Sequence, residues 1–226
     1  APDVGGGFGS KNFIYGEHVL VAWAARKVGR PVKWIATRSE VFLADHPARD
    51  IWASASLALD ENGKFLALEA KSVANVGAYL ANTGGGVSTY QYYHLQGTVY
   101  RLPSVALNVR LALSNTTPIG VMRGPGFAEA VNILERLIDA AARKIGLDRA
   151  ELRRRNMVPA GEMPMTNVFG FQVDSGAFAD TMAKALARAD AAGFAARRRS
   201  SEARGLLRGL GFAYHIKGTG GVPEEN

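Results

Sequence analysis

The amino-acid sequence predicts an α+β fold. Helical and strand-like hydrophobic patterns both occur, and two consecutive strand patterns are joined by a short turn. Helices and strands do not alternate regularly, as they would in a doubly wound parallel sheet, and this favours mixed sheets with packed helices. The 226 residues are 47% hydrophobic and 21% charged, which is typical of a folded globular chain.

The first elements follow a glycine-rich loop, GGGFG at residues 5–9. Residues 16–28 carry apolar side chains at helical spacing, and Gly29 provides a stop signal for that helix. After Pro31, residues 32–38 (VKWIATR) have the composition of a short strand. The sequence therefore predicts a loop, a helix and a strand in this order.

A hairpin is predicted next. Residues 51–59 alternate between apolar and polar side chains, residues 60–63 (DENG) form a turn sequence, and residues 64–76 continue as the second strand. Residues 77–96 are rich in glycine and tyrosine, and we expect an irregular, ordered segment there. Residues 105–113 are predicted to form a third strand.

The next part of the chain is helical. Residues 127–145 place their apolar side chains on one stripe, and Gly146 ends that pattern. Residues 149–156 predict a further helix, for which Asp148 is the expected N-cap. Residues 161–172 are expected to form a loop or a short strand.

The last part of the chain combines helices with a strand. The sequence DSG at residues 174–176 introduces a helix to about residue 189, and an arginine-rich helix follows to about residue 203. Residues 209–216 predict a final strand. We expect residues 1–172 to form a first α+β region and residues 173–226 to begin a second, truncated region.

The composition excludes several classes of function. The chain contains no cysteine, which excludes disulfides and thiolate metal ligands from these residues and fits a cytoplasmic protein. No apolar run of about 20 residues occurs, so no membrane span is predicted. The formal net charge is +7, with arginine-rich stretches at residues 149–155 and 197–208. A solvated helix face explains such stretches best, and nucleic-acid binding is the weaker alternative.

Glycine stretches lie close to both ends of the chain, at residues 5–9 and at residues 218–221 (GTGG). A turn normally connects two elements, and each of these stretches lacks one of them. We therefore expect the chain to be a fragment or one piece of a split subunit.

The opening loop, GGGFGSKN at residues 5–12, lacks the spacing of the common phosphate-binding motifs. A P-loop requires a glycine before its lysine, whereas Ser10 precedes Lys11, and Ser10 or Asn12 stands where a dinucleotide fingerprint needs its third glycine. The glycines can instead adopt positive φ and bring main-chain amides close to a ligand, with Phe8 filling a nearby pocket. A tight turn with Phe8 in the core is the alternative.

A second loop, NTTPIGVMRGPG at residues 115–126, has a related character. Arg123 lies between glycines in the stretch GVMRGPG and shortly before a predicted helix N-terminus, an arrangement that suits an anion such as a phosphate or a pterin oxygen cluster. An ordinary arginine in a surface turn is the alternative.

The histidines and the tyrosines of the irregular segment are the remaining candidates for a functional role. No histidine pair has metal-ligand spacing, and we expect structural or surface roles for His18, His46, His94 and His215. The tyrosines of the irregular segment are candidates for lining an aromatic substrate funnel, against the alternative of ordinary packing; they are Tyr90, Tyr92 and Tyr93.

Six stretches of sequence together resemble the molybdenum-binding large subunit of the xanthine dehydrogenase/aldehyde oxidase family of molybdenum hydroxylases. They follow the family's order and cover nearly the whole chain. The stretches are GGGFGSK (5–11), PVKWIATRSEVF with ARD (31–42 and 48–50), NTTPIGVMRGPGFAEA (115–130), LERLIDAAARKIGLDRAELRRRNMV (134–158), DSG (174–176) and GTGGVPEE (218–225).

This resemblance implies a set of cofactor-binding residues. It places the main chain of Phe8 beside the molybdenum centre and Arg123 at the molybdopterin side of the site. With their glycine neighbours, the implied cofactor residues are Gly7, Phe8, Gly9, Arg123, Gly124 and Gly126. It implies no metal-ligating side chain. It also places the catalytic glutamate outside this chain: the late glutamates Glu224 and Glu225 belong to the stretch GTGGVPEE and are not assigned as the catalytic base.

Departures from the family pattern bear on the substrate. Asn12 stands where the purine oxidases carry a glutamate, and Pro125 stands where they carry an aromatic residue, so both argue against a purine. Gln91 is nearest to a substrate-contacting arginine of those enzymes. Carbon monoxide dehydrogenases of the family hold copper through a cysteine at the position of Gly124, which excludes a copper–molybdenum site.

The resemblance implies an enzyme that oxidises an aldehyde or N-heterocycle with water as oxygen source. Its cofactors would be molybdenum-molybdopterin, in the cytosine dinucleotide form if the protein is bacterial, with [2Fe-2S] and FAD on partner subunits or domains. The partners would be an iron–sulfur subunit, an FAD subunit, and the rest of the large subunit or a second molybdenum-binding chain. A non-catalytic assembly fragment is the alternative.

Overall fold

The computed structural model describes residues 3–81, 83–91 and 99–216, with the backbone alone at positions 90 and 91. By its internal contacts the chain divides into two compact units that are interleaved along the sequence. Unit 1 comprises residues 1–53, 72–92 and 109–129, and unit 2 comprises residues 54–71, 93–108 and 130–226. The boundary expected at residue 172 stays a prediction.

The described residues form both helices and small sheets, which confirms the α+β class. The helices are α1 (Gly16–Val28), α2 (Arg38–Ala44), the single turn α3 (Gly84–Gly86), α4 (Phe127–Ile145), α5 (Arg149–Asn156), α6 (Phe178–Arg188) and α7 (Phe194–Glu202). Shorter turns occur at Ser10–Asn12, Val87–Gln91 and Ala160–Glu162. No helix in the described part of the chain has both the length and the apolar composition needed to cross a bilayer.

Two sheets are present among the described residues. The larger sheet has the order β1-β2-β3, with strands at Ile51–Leu59, Phe65–Gly77 and Val105–Leu113. The smaller sheet pairs β4 (Met165–Thr166) antiparallel to β5 (Gln172–Val173), with Met165 opposite Val173. Burial alternates along β1, as expected for a strand that has one covered face.

Unit 2 holds an apolar core built on α4. Leu134, Ile138 and Ala142 are buried at helical spacing on this helix and belong to a cluster that includes Leu68 of β2. Asp148 caps α5 as predicted, because its Oδ1 accepts hydrogen bonds from the backbone N–H groups of two residues in the first turn, each at 2.9 Å. Helix and cap therefore follow local sequence signals.

Unit 1 buries few of its large apolar side chains on its helices. None of the thirteen residues of α1, all of them described, is buried. The three tryptophans of the chain all lie in unit 1 and are exposed: Trp23 by 56%, Trp34 by 44% and Trp52 by 68%. Phe42 and Leu43 of α2 are also exposed. Unit 1 thus presents apolar surface that its own described residues leave uncovered.

Two predicted strands are wrong. Residues 32–37 form no strand, since a strand needs a hydrogen-bonded partner and the described residues offer none there. Residues 209–216 also form no strand, because they contact helical side chains instead: Arg149 donates from Nη1 to the carbonyl of Leu210 at 2.9 Å, and its guanidinium lies over the ring of Phe212. Helix α2, which begins at the end of the first segment, was not predicted.

Candidate cofactor site

Two loops of unit 1 meet through their backbones. We call residues 5–9 the glycine loop and residues 121–126 the arginine loop. The backbone N–H of Arg123 donates to the carbonyl oxygen of Phe8 at 2.9 Å. Gly9 has φ of 97°, and a Cβ atom there would lie 2.7 Å from the carbonyl oxygen of Val121. The close approach therefore depends on glycine at position 9.

Phe8 has an unusual backbone for an aromatic residue, with φ of 51°. Phe8 is 56% exposed, so the alternative of a Phe8 ring buried in the core is wrong, and so is the expectation that it fills a pocket of the described residues. The ring lies over Gly6, where a Cβ atom would be 3.1 Å from the ring carbon Cε2. The glycine loop thus holds an aromatic side chain at the surface of unit 1 and turns its carbonyl towards the arginine loop.

The arginine loop carries glycines in the left-handed region. Gly124 has φ of 73° and Gly126 has φ of 76°. Arg123, which directly precedes Gly124, is exposed. Pro125 is half-buried. Helix α4 begins directly after the loop at Phe127, as the sequence predicted. An exposed guanidinium close to a helix N-terminus is a suitable arrangement for binding an anion.

Arg49 was not predicted as a site residue, yet it shapes the arginine loop. Its Nη2 donates to the carbonyl oxygens of Met122 at 2.9 Å, Arg123 at 2.5 Å and Gly124 at 3.1 Å. Its Nε lies 3.6 Å from Oε2 of Glu129, whose side chain is 8% exposed. Of residues 48–50 (ARD), Arg49 is therefore the one whose side chain contacts the arginine loop. Its distance along the sequence from that loop gave no indication of this contact.

The structure describes the predicted substrate residues Asn12 and Gln91 to different extents. Asn12 is exposed in the turn that follows the glycine loop, and its Oδ1 lies 3.0 Å from the position that a Cβ atom of Gly7 would take. Gln91 ends the turn Val87–Gln91, and its side chain lies outside the described residues. The same holds for the side chain of Tyr90, and Tyr92, Tyr93, His94, Glu224 and Glu225 lie outside the described residues altogether.

An aromatic cluster lies next to the turn that carries Asn12. Phe13, Tyr15 and His46 pack together, with the Tyr15 and His46 ring centres 4.9 Å apart. They line a cavity of about 620 Å³ together with Asn12. Burial lowers the pKa of His46 and raises the pKa of Tyr15. His46 is packed among rings, in keeping with the structural role expected for it.

Unit 2 contains a buried ionic network. The Arg153 side chain, 1% exposed, donates from Nε to Glu135 at 2.8 Å and pairs with Asp139 at 2.8 Å. The Tyr100 hydroxyl donates to the same Glu135 carboxylate at 2.7 Å. Burial, with the Glu135 charge second, raises the pKa of Tyr100. This network joins core residues to one another, and its shifted pKa values have a structural origin.

The arginine-rich stretches of unit 2 are largely paired with carboxylates. Arg149 pairs with Asp139 at 3.0 Å, and Glu151 pairs with two further arginines. In α7, Arg198 pairs with Glu202 at 2.8 Å. Such pairing within one unit reduces the positive charge that these helices can offer to a nucleic acid.

The two loops fit a molybdopterin group by their own chemistry. Gly9, Gly124 and Gly126 have no side chain to cover the backbone, which lets them adopt positive φ, and Arg123 supplies an exposed charge that can bind anionic oxygens. Comparison with known families agrees: the model of the molybdopterin cofactor-binding domain matches residues 1–157. The chain belongs to this family.

Relatives of this molybdopterin cofactor-binding domain place it among molybdenum hydroxylase large subunits, which confirms the resemblance drawn from the motifs. The carbon monoxide dehydrogenase large chain of Hydrogenophaga pseudoflava is 33% identical over all of this chain and 29% of the relative. The 6-hydroxypseudooxynicotine dehydrogenase complex subunit gamma of Paenarthrobacter nicotinovorans is 36% identical over 73% of this chain and 20% of the relative.

Solved structures agree with this placement. Quinoline 2-oxidoreductase from Pseudomonas putida 86 matches with a TM-score of 0.81 and 36% identity, over 90% of this chain and 26% of the matched chain. The molybdopterin-binding domain is therefore similar to this enzyme in both fold and sequence. It spans less than a third of the length of these relatives.

Proposed function

We propose that this chain forms one side of the cofactor site of a molybdenum hydroxylase that oxidises an aldehyde or an N-heterocycle with water as oxygen source. The observation that carries the proposal is the hydrogen bond of 2.9 Å from the Arg123 N–H to the Phe8 carbonyl. This bond joins the two loops to which the family resemblance assigns the cofactor. When bound, the molybdenum-molybdopterin group supplies the oxygen-transfer and redox chemistry.

The chain's own residues would hold and orient that group. Arg123 would bind anionic oxygens of the molybdopterin through its guanidinium, with geometry that a lysine cannot reproduce. The backbone at Phe8 would face the metal side of the site. The flanking glycines, namely Gly7, Gly9, Gly124 and Gly126, would let main-chain amides approach the cofactor without side chains in between.

An N-heterocycle or an aldehyde suits the predicted substrate residues better than a purine. Asn12 offers a neutral amide, and Pro125 offers a small apolar ring, where purine oxidases carry a glutamate and an aromatic residue. Gln91 would add a second neutral amide. The names of two relatives point the same way, since one acts on quinoline and another on a pseudooxynicotine. The activity of the carbon monoxide relatives is not carried over, because Gly124 occupies the copper-ligand position.

The rest of the enzyme would be supplied by other segments or subunits. We propose a molybdopterin cytosine dinucleotide as the bacterial form of the cofactor, with an iron–sulfur subunit and an FAD subunit passing electrons onward in a cytoplasmic complex. The family resemblance places the catalytic glutamate outside these 226 residues, so the isolated chain would show no turnover. A role in assembly alone is the alternative, and the exposed apolar residues of α1 and α2 in unit 1 are the observation that favours it.

The test is cofactor analysis of the native complex that contains this chain. We expect about one molybdenum and one pterin per chain, with hydroxylation of a test N-heterocycle or aldehyde that incorporates ¹⁸O from labelled water. A complex without metal and without pterin would overturn the proposal. Cofactor present but no hydroxylation of either substrate class would favour the assembly role, and binding to nucleic acid that weakens with salt would favour the basic-module alternative.

A further inference from the structure

We propose that Arg49 is a positioning residue that sets the direction of the amide groups in the arginine loop. The inference rests on the proposed function, because the cofactor is what those amides would face. The sequence motif ARD (48–50) contains Arg49 but assigns it no role, since the carbonyl groups that it contacts lie 73, 74 and 75 residues further along the chain.

The geometry of the peptide unit carries the first step. Arg49 Nη2 lies within hydrogen-bond distance of the three successive carbonyl oxygens of residues 122–124. In a trans peptide the C=O and N–H groups point in opposite directions. Gathering these carbonyls on one guanidinium therefore turns the N–H groups of Arg123 and Gly124 away from Arg49.

The hydrogen bond between the loops confirms this direction for one of the two amides. The N–H of Arg123 points towards the glycine loop, where it donates to Phe8 at 2.9 Å. The N–H of Gly124 faces away from Arg49 as well. Pro125 has no N–H, so the peptide unit between residues 124 and 125 contributes a carbonyl to Arg49 and no competing donor. Gly124 N–H is thus the donor that this arrangement offers to an anionic oxygen of the cofactor.

Arg49 is itself held on both sides. Before it, the carbonyl of Pro47 accepts the N–H of Gly120 at 2.8 Å. After it, the side chain and the backbone of Asp50 accept hydrogen bonds from Asn75 of β2 at 2.7 and 2.9 Å. Arg49 between these anchors has φ of 67°, a left-handed conformation that is costly for most residues. The surrounding hydrogen bonds hold this conformation, which directs the side chain at the arginine loop.

Glu129 completes the arrangement. Its carboxylate lies 3.6 Å from Arg49 Nε, and its Oε2 is buried without a hydrogen-bond partner among the described residues. A buried carboxylate needs a compensating charge, so Glu129 favours the position of the guanidinium between α4 and the carbonyl groups. Arg49 contacts the three carbonyls through Nη2 and faces Glu129 through Nε, so the loop and the carboxylate are served by two different nitrogens of one planar group, whereas lysine has only one nitrogen.

Two substitutions of Arg49 in the native complex test this role. Arg49→Asn removes the guanidinium but tolerates the left-handed backbone, and Arg49→Lys keeps the charge without the planar fork. We expect molybdenum and pterin per folded chain to fall about tenfold in Arg49→Asn and less in Arg49→Lys, in the range of losses caused by residues that orient cofactor ligands. The same change at an exposed arginine of α2, Arg38→Asn, should leave the content unchanged.

A spectroscopic readout separates positioning from folding. In the Arg49→Lys complex that retains cofactor, the electron paramagnetic resonance signal of the reduced molybdenum should shift, because the donors around the cofactor have moved. Wild-type cofactor content and an unchanged signal in both variants would refute the role of Arg49. A loss of cofactor that only follows the folded fraction would refute it too. A wild-type complex without molybdenum or pterin would instead overturn the proposed function.

Discussion

Gly9 approaches Val121 so closely that a Cβ atom at Gly9 would lie 2.7 Å from the Val121 carbonyl oxygen. This contact and the neighbouring hydrogen bond from Arg123 N–H to the Phe8 carbonyl join two loops that are more than a hundred residues apart in the chain. The cofactor proposal depends on that junction, which can be opened by a single methyl group.

Gly9→Ala should separate the loops. The substitution adds a clash with backbone atoms and places alanine at φ of 97°, so we expect the free energy of unfolding to fall by at least about 2 kcal/mol. Cofactor content of the native complex should fall as well. The matched control is Gly5→Ala in the same loop, where no atom lies within 4 Å of the added carbon. Equal effects of the two substitutions in urea unfolding would contradict the role of this contact.

Asn12→Glu tests substrate preference. If Asn12 faces a neutral substrate, a carboxylate there should lower kcat/KM for an N-heterocycle about tenfold, which corresponds to about 1.4 kcal/mol, and should raise the relative rate with a purine. Ser39→Glu places the same charge on the exposed surface of α2 and serves as control. Steady-state kinetics of the native complex decides the matter. An unchanged ratio of the two substrates would remove Asn12 from the substrate site.

The raised pKa of Tyr100 should make the free energy of unfolding fall at high pH. Burial and the nearby Glu135 raise the pKa of Tyr100 in the folded chain above its ordinary value of 10.0. Above about pH 10 the unfolded chain releases this proton while the folded chain keeps it, so each further pH unit costs about 1.4 kcal/mol of unfolding free energy. Below pH 10 both states hold the proton, and the contribution is constant.

The Tyr100→Phe variant provides the control for this pH dependence. It should be less stable at pH 7 by about 1–3 kcal/mol, because Glu135 loses a hydrogen-bond donor in the core. Its stability should fall less steeply between pH 10 and pH 11 than that of the wild type, as measured by urea unfolding at each pH. Parallel curves for the two proteins would show that Tyr100 does not govern the alkaline transition.

Asp148→Ala should destabilise the start of α5. The side chain accepts the N–H groups of Ala150 and Glu151, each at 2.9 Å, and loss of such an N-cap costs about 1 kcal/mol. Asp148→Asn keeps an acceptor at the same position and should cost much less. Thermal unfolding followed by circular dichroism would measure both. An equal loss in the asparagine and alanine variants would argue for an effect of the Asp148 charge instead of a cap, because both substitutions remove that charge.

Features that depend on neighbouring residues were predictable from the sequence. Helix α4 begins and ends at the predicted residues because its apolar spacing and Gly146 are local signals, and the Asp148 cap follows from a local preference. The hairpin of β1 and β2 likewise follows from alternation and a turn sequence. The glycine loop and the arginine loop each carry a family motif, so the family resemblance identified both as candidate cofactor loops.

Features that depend on distant partners were not predictable. Residues 32–37 have strand composition, but a strand is defined by a partner that the described residues do not provide. Residues 209–216 contact helical side chains, and periodicity gives no sign of that choice. Arg49 was missed for the same reason: the ARD motif marks its position but gives it no role, and its three acceptors are remote in sequence.

The exposure of all three tryptophans gives the chain an intrinsic optical reporter. Trp23, Trp34 and Trp52 all lie in unit 1, and unit 2 contains no tryptophan, so the indole fluorescence of this chain comes from unit 1. Water-exposed indoles emit at long wavelength and are open to quenching by iodide. Any surface that covers these side chains in an assembled complex would shift the emission to the blue and protect it from the quencher, without the need for a label.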